Sequence, residues 1–323
     1  MWIARSTASV RTPTVIALGN FDGLHRGHQQ VLHPITSARA APDNCCEPQP
    51  GASRPYATVV SFEPHPQAFF SGRPIPLLTP LAEQVAMLEQ LGIEQLVLLP
   101  FGAELAALSP QQFVEQILLS QLQATQIGVG ENFRFGRNRS GTATQLQAIA
   151  ERAGVTVSIA SLAATGSERI SSSRIRRALA AGELEQAHRL LGYPYHLTGP
   201  VVAGEQRGRS IGFPTANLAV PADKVLPRYG VYYVRLSGAD LPEDAPRDGV
   251  MNVGERPTVS GTAPTVEVHL LEWRGELYGR TLTAKLAAFL RPERSFDSLE
   301  ALKAQIAADC EAAKSRARAA HPA

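Results

Sequence analysis

Val15-Ile16-Ala17-Leu18-Gly19-Asn20-Phe21-Asp22-Gly23-Leu24-His25-Arg26-Gly27-His28 is the stretch that decides the fold. Its first four residues are an apolar run of strand length. Turn formers follow at once, and a helical pattern then runs from about Leu24 to Ala38. A strand that breaks into a glycine turn and opens a helix leaves free backbone N–H groups and a positive dipole end just past the strand. Both favour a phosphate. Asp22 is expected to cap the helix start. His25 and His28, three residues apart, share one helix face. Gly27 puts no side chain between the two rings, so a nucleotide can approach. Imidazoles placed there can donate hydrogen bonds to a phosphate whose charge grows in a transition state. Gly19 and Phe21 belong to the same expected phosphate-binding turn. The spacing is not that of a zinc helix, and no third ligand is evident.

Outward from this stretch, β-rich runs alternate with helical patterns. Strands are expected at 57–62, 95–99, 125–130 and 155–159. Helices are expected at 81–91, from Ser109-Pro110 to about Leu119, and at 142–152. Ser109 before Pro110 reads as an N-cap followed by proline at the first helical position. This alternation predicts a parallel sheet covered on both faces. In such sheets ligands sit beyond the C-terminal ends of the strands.

A second basic motif, Ile170-Ser171-Ser172-Ser173-Arg174-Ile175-Arg176-Arg177, opens a helix running to Ala181, and another spans 183–191. Ser172 and Ser173 can cap the first helix and offer hydroxyls to phosphate oxygens. Arg174, Arg176 and Arg177 add charge for a triphosphate.

After Tyr193-Pro194 the texture changes. Turn residues become dense and short alternating strands are expected at 197–203, 230–236, 249–253, 265–273 and 280–289. That pattern predicts a small antiparallel barrel. A closing helix is expected from Ser298 to Arg316. Asp297 and Glu300 read as its capping pair, and Leu299, Leu302, Ile306 and Cys310 as its apolar stripe. A domain boundary falls near 185–195, giving domains 1–188 and 189–323.

Within the barrel part, residues 199–217 read GPVVAGEQRGRSIGFPTAN. Gly204, Gly208 and Gly212 permit tight turns around a ligand. Arg207 and Arg209 add charge, and Pro214 fixes the chain before Thr215 and Asn217. The hydroxyl and amide oxygens of those two residues can both reach one hard cation. The segment is not a P-loop. In Thr265-Val266-Glu267-Val268-His269, strand alternation puts Glu267 and His269 on one face.

The first pair of motifs resembles the HxGH nucleotidyltransferase superfamily. The wording GNFDGLHRGH, SFEPHP (Ser61 to Pro66) and GENFRFG (Gly130 to Gly136) resembles its bacterial FAD synthetase branch. GFPTAN, the E-x-H strand and LRPE…FDSL resemble riboflavin kinase. Together they cover about residues 14–316. The fold implied is an α/β Rossmann-like nucleotidyltransferase domain, then a β-barrel kinase domain with a C-terminal helix. The resemblance implies that riboflavin and ATP give FMN in the C-terminal domain. In the N-terminal domain FMN and ATP give FAD and pyrophosphate. It implies ATP handling by His25, His28, Ser172 and Arg174, and a flavin-side place for Asn132 and Arg291. Thr215 and Asn217 would bind Mg²⁺ and ATP phosphates, and Glu267 would be the catalytic base. Ser173 stands where the family commonly has Thr, which keeps the hydroxyl. His65 either lines the first cleft or is a buried loop histidine between two prolines. A nucleotidyltransferase for another phosphate acceptor would leave GFPTAN and Glu267 unexplained.

Composition narrows the partners. Of 323 residues 44% are apolar and 19% charged, with a net charge of +2. No basic field calls for nucleic acid. No apolar run reaches the length of a membrane span, and no signal peptide is visible. Cys45, Cys46 and Cys310 show no metal spacing and read as free thiols, so the expected location is cytoplasmic. Monomer and weak oligomer both remain open.

Overall fold

Apolar runs bounded by glycine and proline become the strands of two main sheets, beside two short two-stranded ribbons, in a computed structural model. It describes residues 1–40, 54–161, 164–165, 168–204, 208, 211–238, 241, 246–258 and 261–320. Cys45, Cys46, Arg207 and Arg209 lie outside the described residues. The chain divides into two compact units, Met1–Ser172 and Ser173–Ala323.

The first unit runs β1 (Trp2–Ala4), β2 (Thr14–Leu18), α1 (Arg26–Ala40), β3 (Tyr56–Glu63), α2 (Pro66–Ser71), α3 (Leu81–Gln90) and β4 (Gln95–Pro100). It continues through α4 (Ala103–Ala107), α5 (Pro110–Gln112) and β5 (Ala124–Gly130). Then come β6 (Arg134–Phe135), β7 (Gly141–Thr142), α6 (Ala143–Arg152), β8 (Thr156–Ala160), β9 (Ala164–Thr165) and β10 (Glu168–Arg169). Six strands form one sheet in the order β1-β4-β3-β2-β5-β8, and every pairing is parallel. The chain winds outward from β2 in both directions. The crevice between the C-terminal ends of β2 and β5 is therefore the switch point where such sheets bind ligands.

Alternation along β2 feeds two cores. Ile16 and Leu18 pack with Phe113, Leu118, Leu146 and Ile149 on one face. Ala17 packs with Val31, Leu32, Ile35 and Leu88 on the other. Each fully buried Leu or Ile contributes about 2 kcal/mol by leaving water. Ser109 caps α5 in a full capping box with Gln112, as its sequence predicts. Beyond it the backbone runs as a π-helix over Phe113–Gln121, which the apolar spacing does not distinguish from an α-helix.

In the second unit, α7 (Ser172–Ala181) and α8 (Leu184–Leu191) precede β11 (His196–Val202), β12 (Ala216–Leu218), β13 (Gly230–Gly238), β14 (Arg247–Thr258), β15 (Gly261–Leu270), β16 (Thr281–Pro292) and α9 (Leu299–Ala320). The strands close a barrel in the order β11-β12-β15-β14-β13-β16. Leu197, Tyr232, Val234, Met251, Val268 and Leu286 fill its interior. The amide of Arg228 donates to the carbonyl of Leu179, and Arg228 side-chain atoms lie beside Gly182. These contacts gather residues 173–188 with the barrel.

The closing helix α9 packs over the outer wall through Ile306, Cys310, Ala313 and Ala317, against Val231, Tyr233 and Val250. Two local expectations change here. Ser298, not Asp297, caps the helix, accepting from the amide of Ala301 at 3.1 Å. Leu299 stays 49% exposed, because the helix reaches the barrel wall only after its first turn. The strand β12, which begins inside GFPTAN, is not among the strands expected from sequence.

Candidate active sites at the sheet edge and on the barrel wall

The turn after β2 has an unusual backbone. Phe21 and Leu24 have φ of 52° and 35°, beside Gly23 at 88°. Side chains with a Cβ rarely adopt such angles unless the surroundings hold them. Here they do. Leu78 and Thr79 donate their amides to Asp22 Oδ1 at 2.8 and 3.1 Å. The Gly23 amide donates to Thr79 Oγ1 at 2.8 Å. Gln84 Nε2 donates to the carbonyls of Asn20 and Phe21 at 3.3 and 3.4 Å. Phe21 itself is 1% exposed, and its ring lies 3.3 Å from where a Cβ on Gly19 would sit.

The cap assigned to Asp22 is made by His25. Its Nδ1 accepts from the backbone amide of His28 at 3.2 Å, two residues into α1. An accepting Nδ1 places the proton of the neutral ring on Nε2. The two imidazoles stack with centroids 3.6 Å apart and planes 15° apart. The Phe21 ring meets His28 edge-on at 5.3 Å. Burial pushes His25 down to about 4. Burial, and then the charge on His25, pushes His28 well below its usual 6.5. Both rings are thus neutral N–H donors at neutral pH. His28 Nδ1 is buried with no partner among the described residues, the kind of orphaned atom a ligand satisfies.

Other predicted residues of the first unit gather at this edge, and those of the second unit have their own surroundings. Ser172 Oγ donates to the carbonyl of Asp22 at 2.9 Å, joining the second motif to the first turn. Along α7, Ser173 and Arg177 are exposed, while Arg174 and Arg176 are half-buried. With its amide oriented to satisfy both neighbours, Gln186 accepts from Arg174 at 3.2 Å. Gly27 is half-buried in the first turn of α1. Asn132 is exposed just past β5, with Oδ1 beside Gly130. His65 caps α2 by accepting from Gln67, and its Nε2 lies 2.9 Å from Asn20 Nδ2. It is therefore next to the turn rather than a remote loop residue. Thr79 and Gln84 escaped the sequence reading. The Thr79-Pro80 pair before α3 was the available signal.

On the barrel, Asn217 and Glu267 are direct cross-strand partners of β12 and β15. Both lie half-buried between interior residues, Ala216 and Leu218 in one strand and Val266 and Val268 in the other. They therefore face outward together. A Cβ on Gly204 would fall 2.2 Å from Asn217 Nδ2, and one on Gly208 2.3 Å from the Phe213 carbonyl and 3.2 Å from Thr215 Oγ1. Only glycine permits these approaches. Gly212 supplies a φ of 93° in the same loop. His269 Nδ1 lies 2.8 Å from the Pro214 carbonyl and so donates to it, fixing the chain beside Thr215.

Arg291, which the resemblance gives a flavin-side place, is engaged by α9. Its Nε donates to both carboxylate oxygens of Asp309 at 3.0 and 3.1 Å, and Nη2 to Oδ2 at 2.8 Å. The guanidinium ties β16 to α9 through Asp309, which is 5% exposed and has no role in the motif reading.

One unit is thus a nucleotide-type α/β sheet with paired histidines at its switch point. The other is a barrel whose outer wall presents a hydroxyl, an amide and a carboxylate: the class is a two-part nucleotide-using transferase. The FAD synthetase family matches residues 7–174 and the riboflavin kinase family residues 191–317. The bifunctional riboflavin kinase/FMN adenylyltransferase of Escherichia coli K12 is 38% identical over 297 residues, 91% of this chain and 90% of that one. That of Pseudomonas fluorescens is 38% identical over 308 residues, 94% and 93% of the two chains. A crystal structure from Streptococcus pneumoniae described as a macrolide-efflux protein shares 28% identity and a TM-score of 0.81, over 97% of this chain and 98% of that one. The chain belongs to the bifunctional riboflavin kinase/FMN adenylyltransferase family, with FAD synthetase in its N-terminal part and riboflavin kinase in its C-terminal part. Among the described residues no helix is long and apolar enough to cross a membrane.

Proposed function

We propose that the two reactions divide between these two sites, with FMN adenylylation drawing on residues 1–188 and riboflavin phosphorylation on residues 189–323. What supports the division is convergence within each unit. Ser172 reaches Asp22 across 150 residues. Glu267 stands opposite Asn217 in the barrel wall.

In the first reaction a phosphate oxygen of FMN attacks the α-phosphorus of ATP, and the bond to pyrophosphate breaks. No protein nucleophile is needed. Neutral His25 donates from Nε2, and His28 from its own N–H, to phosphate oxygens whose charge grows in the transition state. Gly19, Phe21, Asp22 and Gly27 shape the turn around the triphosphate. Ser172, Ser173, Arg174 and Arg176 add hydroxyl and charge, and Asn132 lies on the flavin side.

In the second reaction Glu267 accepts the proton of the terminal ribityl hydroxyl as its oxygen attacks the γ-phosphorus, and ADP leaves. Gly204, Gly208, Gly212 and Pro214 shape the turns that carry the phosphates, and Arg209, outside the described residues, is the charge expected there from sequence. Thr215 and Asn217 offer the hard, neutral oxygens that suit Mg²⁺, which takes few protein ligands and completes its shell with phosphates and water. Bound there, Mg²⁺ would neutralise developing phosphate charge. Arg291 serves the flavin side indirectly, by holding α9 through Asp309. The reading places the enzyme in the cytoplasm, with small molecules rather than nucleic acid or membrane as partners.

The test is flavin chromatography after incubation with riboflavin, ATP and Mg²⁺. Glu267→Ala should abolish FMN formation from riboflavin yet still convert supplied FMN to FAD. His28→Ala should do the reverse, with FMN accumulating. Either variant losing both activities while still folded would overturn the division.

A further inference from the structure

Glu267 has two cross-strand neighbours, and only one has a role so far. On the β12 side stands Asn217. On the β14 side stands Asn252. Residues directly opposed on neighbouring antiparallel strands project to the same face. The burial pattern agrees. Met251 and Val253 are fully buried toward the barrel interior, and Asn252 between them is half-buried on the outer wall. The row across the wall is therefore Asn217, Glu267, Asn252, and then Val231, which is apolar and lies under α9.

The row has a direction. Thr215, Asn217 and the glycines packed on them define the side from which the phosphoryl group comes. An in-line transfer puts the attacking oxygen on the side of the γ-phosphorus away from the leaving ADP, so the acceptor approaches from the flank beyond Glu267. Asn252 occupies that flank. Gly254, two residues on and on the same face, is covered by the Glu293 carboxylate, which leaves no room there for even a Cβ. The Asn252 amide makes no hydrogen bond among the described residues. An amide carries both donors and an acceptor, so it can engage a hydroxyl in either sense.

We propose that Asn252 is a substrate-contacting residue of the kinase reaction, hydrogen-bonding a secondary hydroxyl of the ribityl chain. It thereby holds the terminal hydroxyl against Glu267. This rests on the assignment of Glu267 as the kinase base.

The experiment uses the full chain with Asn252→Ala and Asn252→Ser, and Glu267→Gln in parallel. Folding is checked by near-ultraviolet circular dichroism and the melting midpoint. Riboflavin is compared with its three monodeoxy ribityl analogues, each lacking one secondary hydroxyl. Expected for Asn252→Ala is a roughly tenfold loss of kcat/KM for riboflavin, equivalent to one hydrogen bond, with KM for ATP and FMN adenylylation unchanged. Wild type should discriminate against one analogue, and the alanine variant should lose that discrimination. Asn252→Ser, which keeps a hydroxyl, should recover part of it. Unchanged riboflavin kinetics, a rise in KM for ATP instead, or equal discrimination in variant and wild type would each overturn the inference. If Glu267→Gln keeps full kinase activity, the underlying site assignment falls. If Glu267→Gln is inactive while Asn252→Ala behaves as wild type, only the role of Asn252 falls.

Discussion

The rings of His25 and His28 stack 3.6 Å apart, and His25 Nδ1 accepts the amide of His28. One histidine thus caps the helix that carries the other, which fixes its tautomer. Neither ring can be protonated cheaply while the pair is buried and unliganded. In long-range nitrogen-15 NMR of the substrate-free chain, His25 should show the Nε2–H tautomer and no titration above about pH 5. Both folded values lie below the unfolded 6.5, so unfolding takes up protons between about 6.5 and 4. The pair's contribution is complete above pH 6.5 and is lost as pH falls through that window. A His25 resonance titrating near 6.5 would contradict the stacked geometry.

The positive-φ turn is held from outside by residues 78–84, and that brace should be felt in catalysis. Thr79→Val leaves the Gly23 amide without its acceptor, and Gln84→Leu removes two donors to the turn. A buried unsatisfied group costs about 1–3 kcal/mol. Each variant should lower kcat/KM of FMN adenylylation by about tenfold or more. Riboflavin phosphorylation by the same preparation should stay within about twofold, which serves as an internal control. Equal loss of both activities would reduce the brace to general stability.

Gly204 is packed on the Asn217 amide. A methyl group there would overlap Asn217 Nδ2 at 2.2 Å. Gly204→Ala should therefore displace the amide, raise KM for ATP in the kinase assay and shift its Mg²⁺ dependence to higher concentration. Adenylylation should not change. Wild-type kinase kinetics would show that Asn217 is not held in place by this contact.

Arg291 and Asp309 form a nearly enclosed pair, with side chains 14% and 6% exposed. Removing one partner leaves a buried charge without compensation, at a cost of about 3 kcal/mol. Asp309→Ala should lower the urea midpoint of the barrel transition more than the double variant Arg291→Met/Asp309→Leu. The reverse order would mean that the charges are not enclosed in solution.

Much of this molecule is legible one segment at a time. The strand–glycine–helix run at 15–28, the alternation that follows it, and the capping box at Ser109 are local facts. They depend on backbone conformation and on spacing at 2 or 3.6 residues. The same is true of the glycines at 204 and 208, whose need for close approach shows as a glycine-rich turn. A local pattern did mislead where two elements compete for one side chain. Asp22 looked like the cap of its own helix, yet it holds Leu78 and Thr79.

Residue order alone carries the two kinds of domain, their succession, the motif residues and the chemistry those residue types allow. Packing between distant segments was needed to show that Asp22 holds Leu78 and Thr79, that Ser172 closes on the first turn, that Arg291 pairs with α9, and that Glu267 stands between two asparagines. The reason is physical. Periodicity records which face a residue takes, but strand register and buried polar pairing are set between segments far apart in the chain. Nothing within either segment alone encodes that choice.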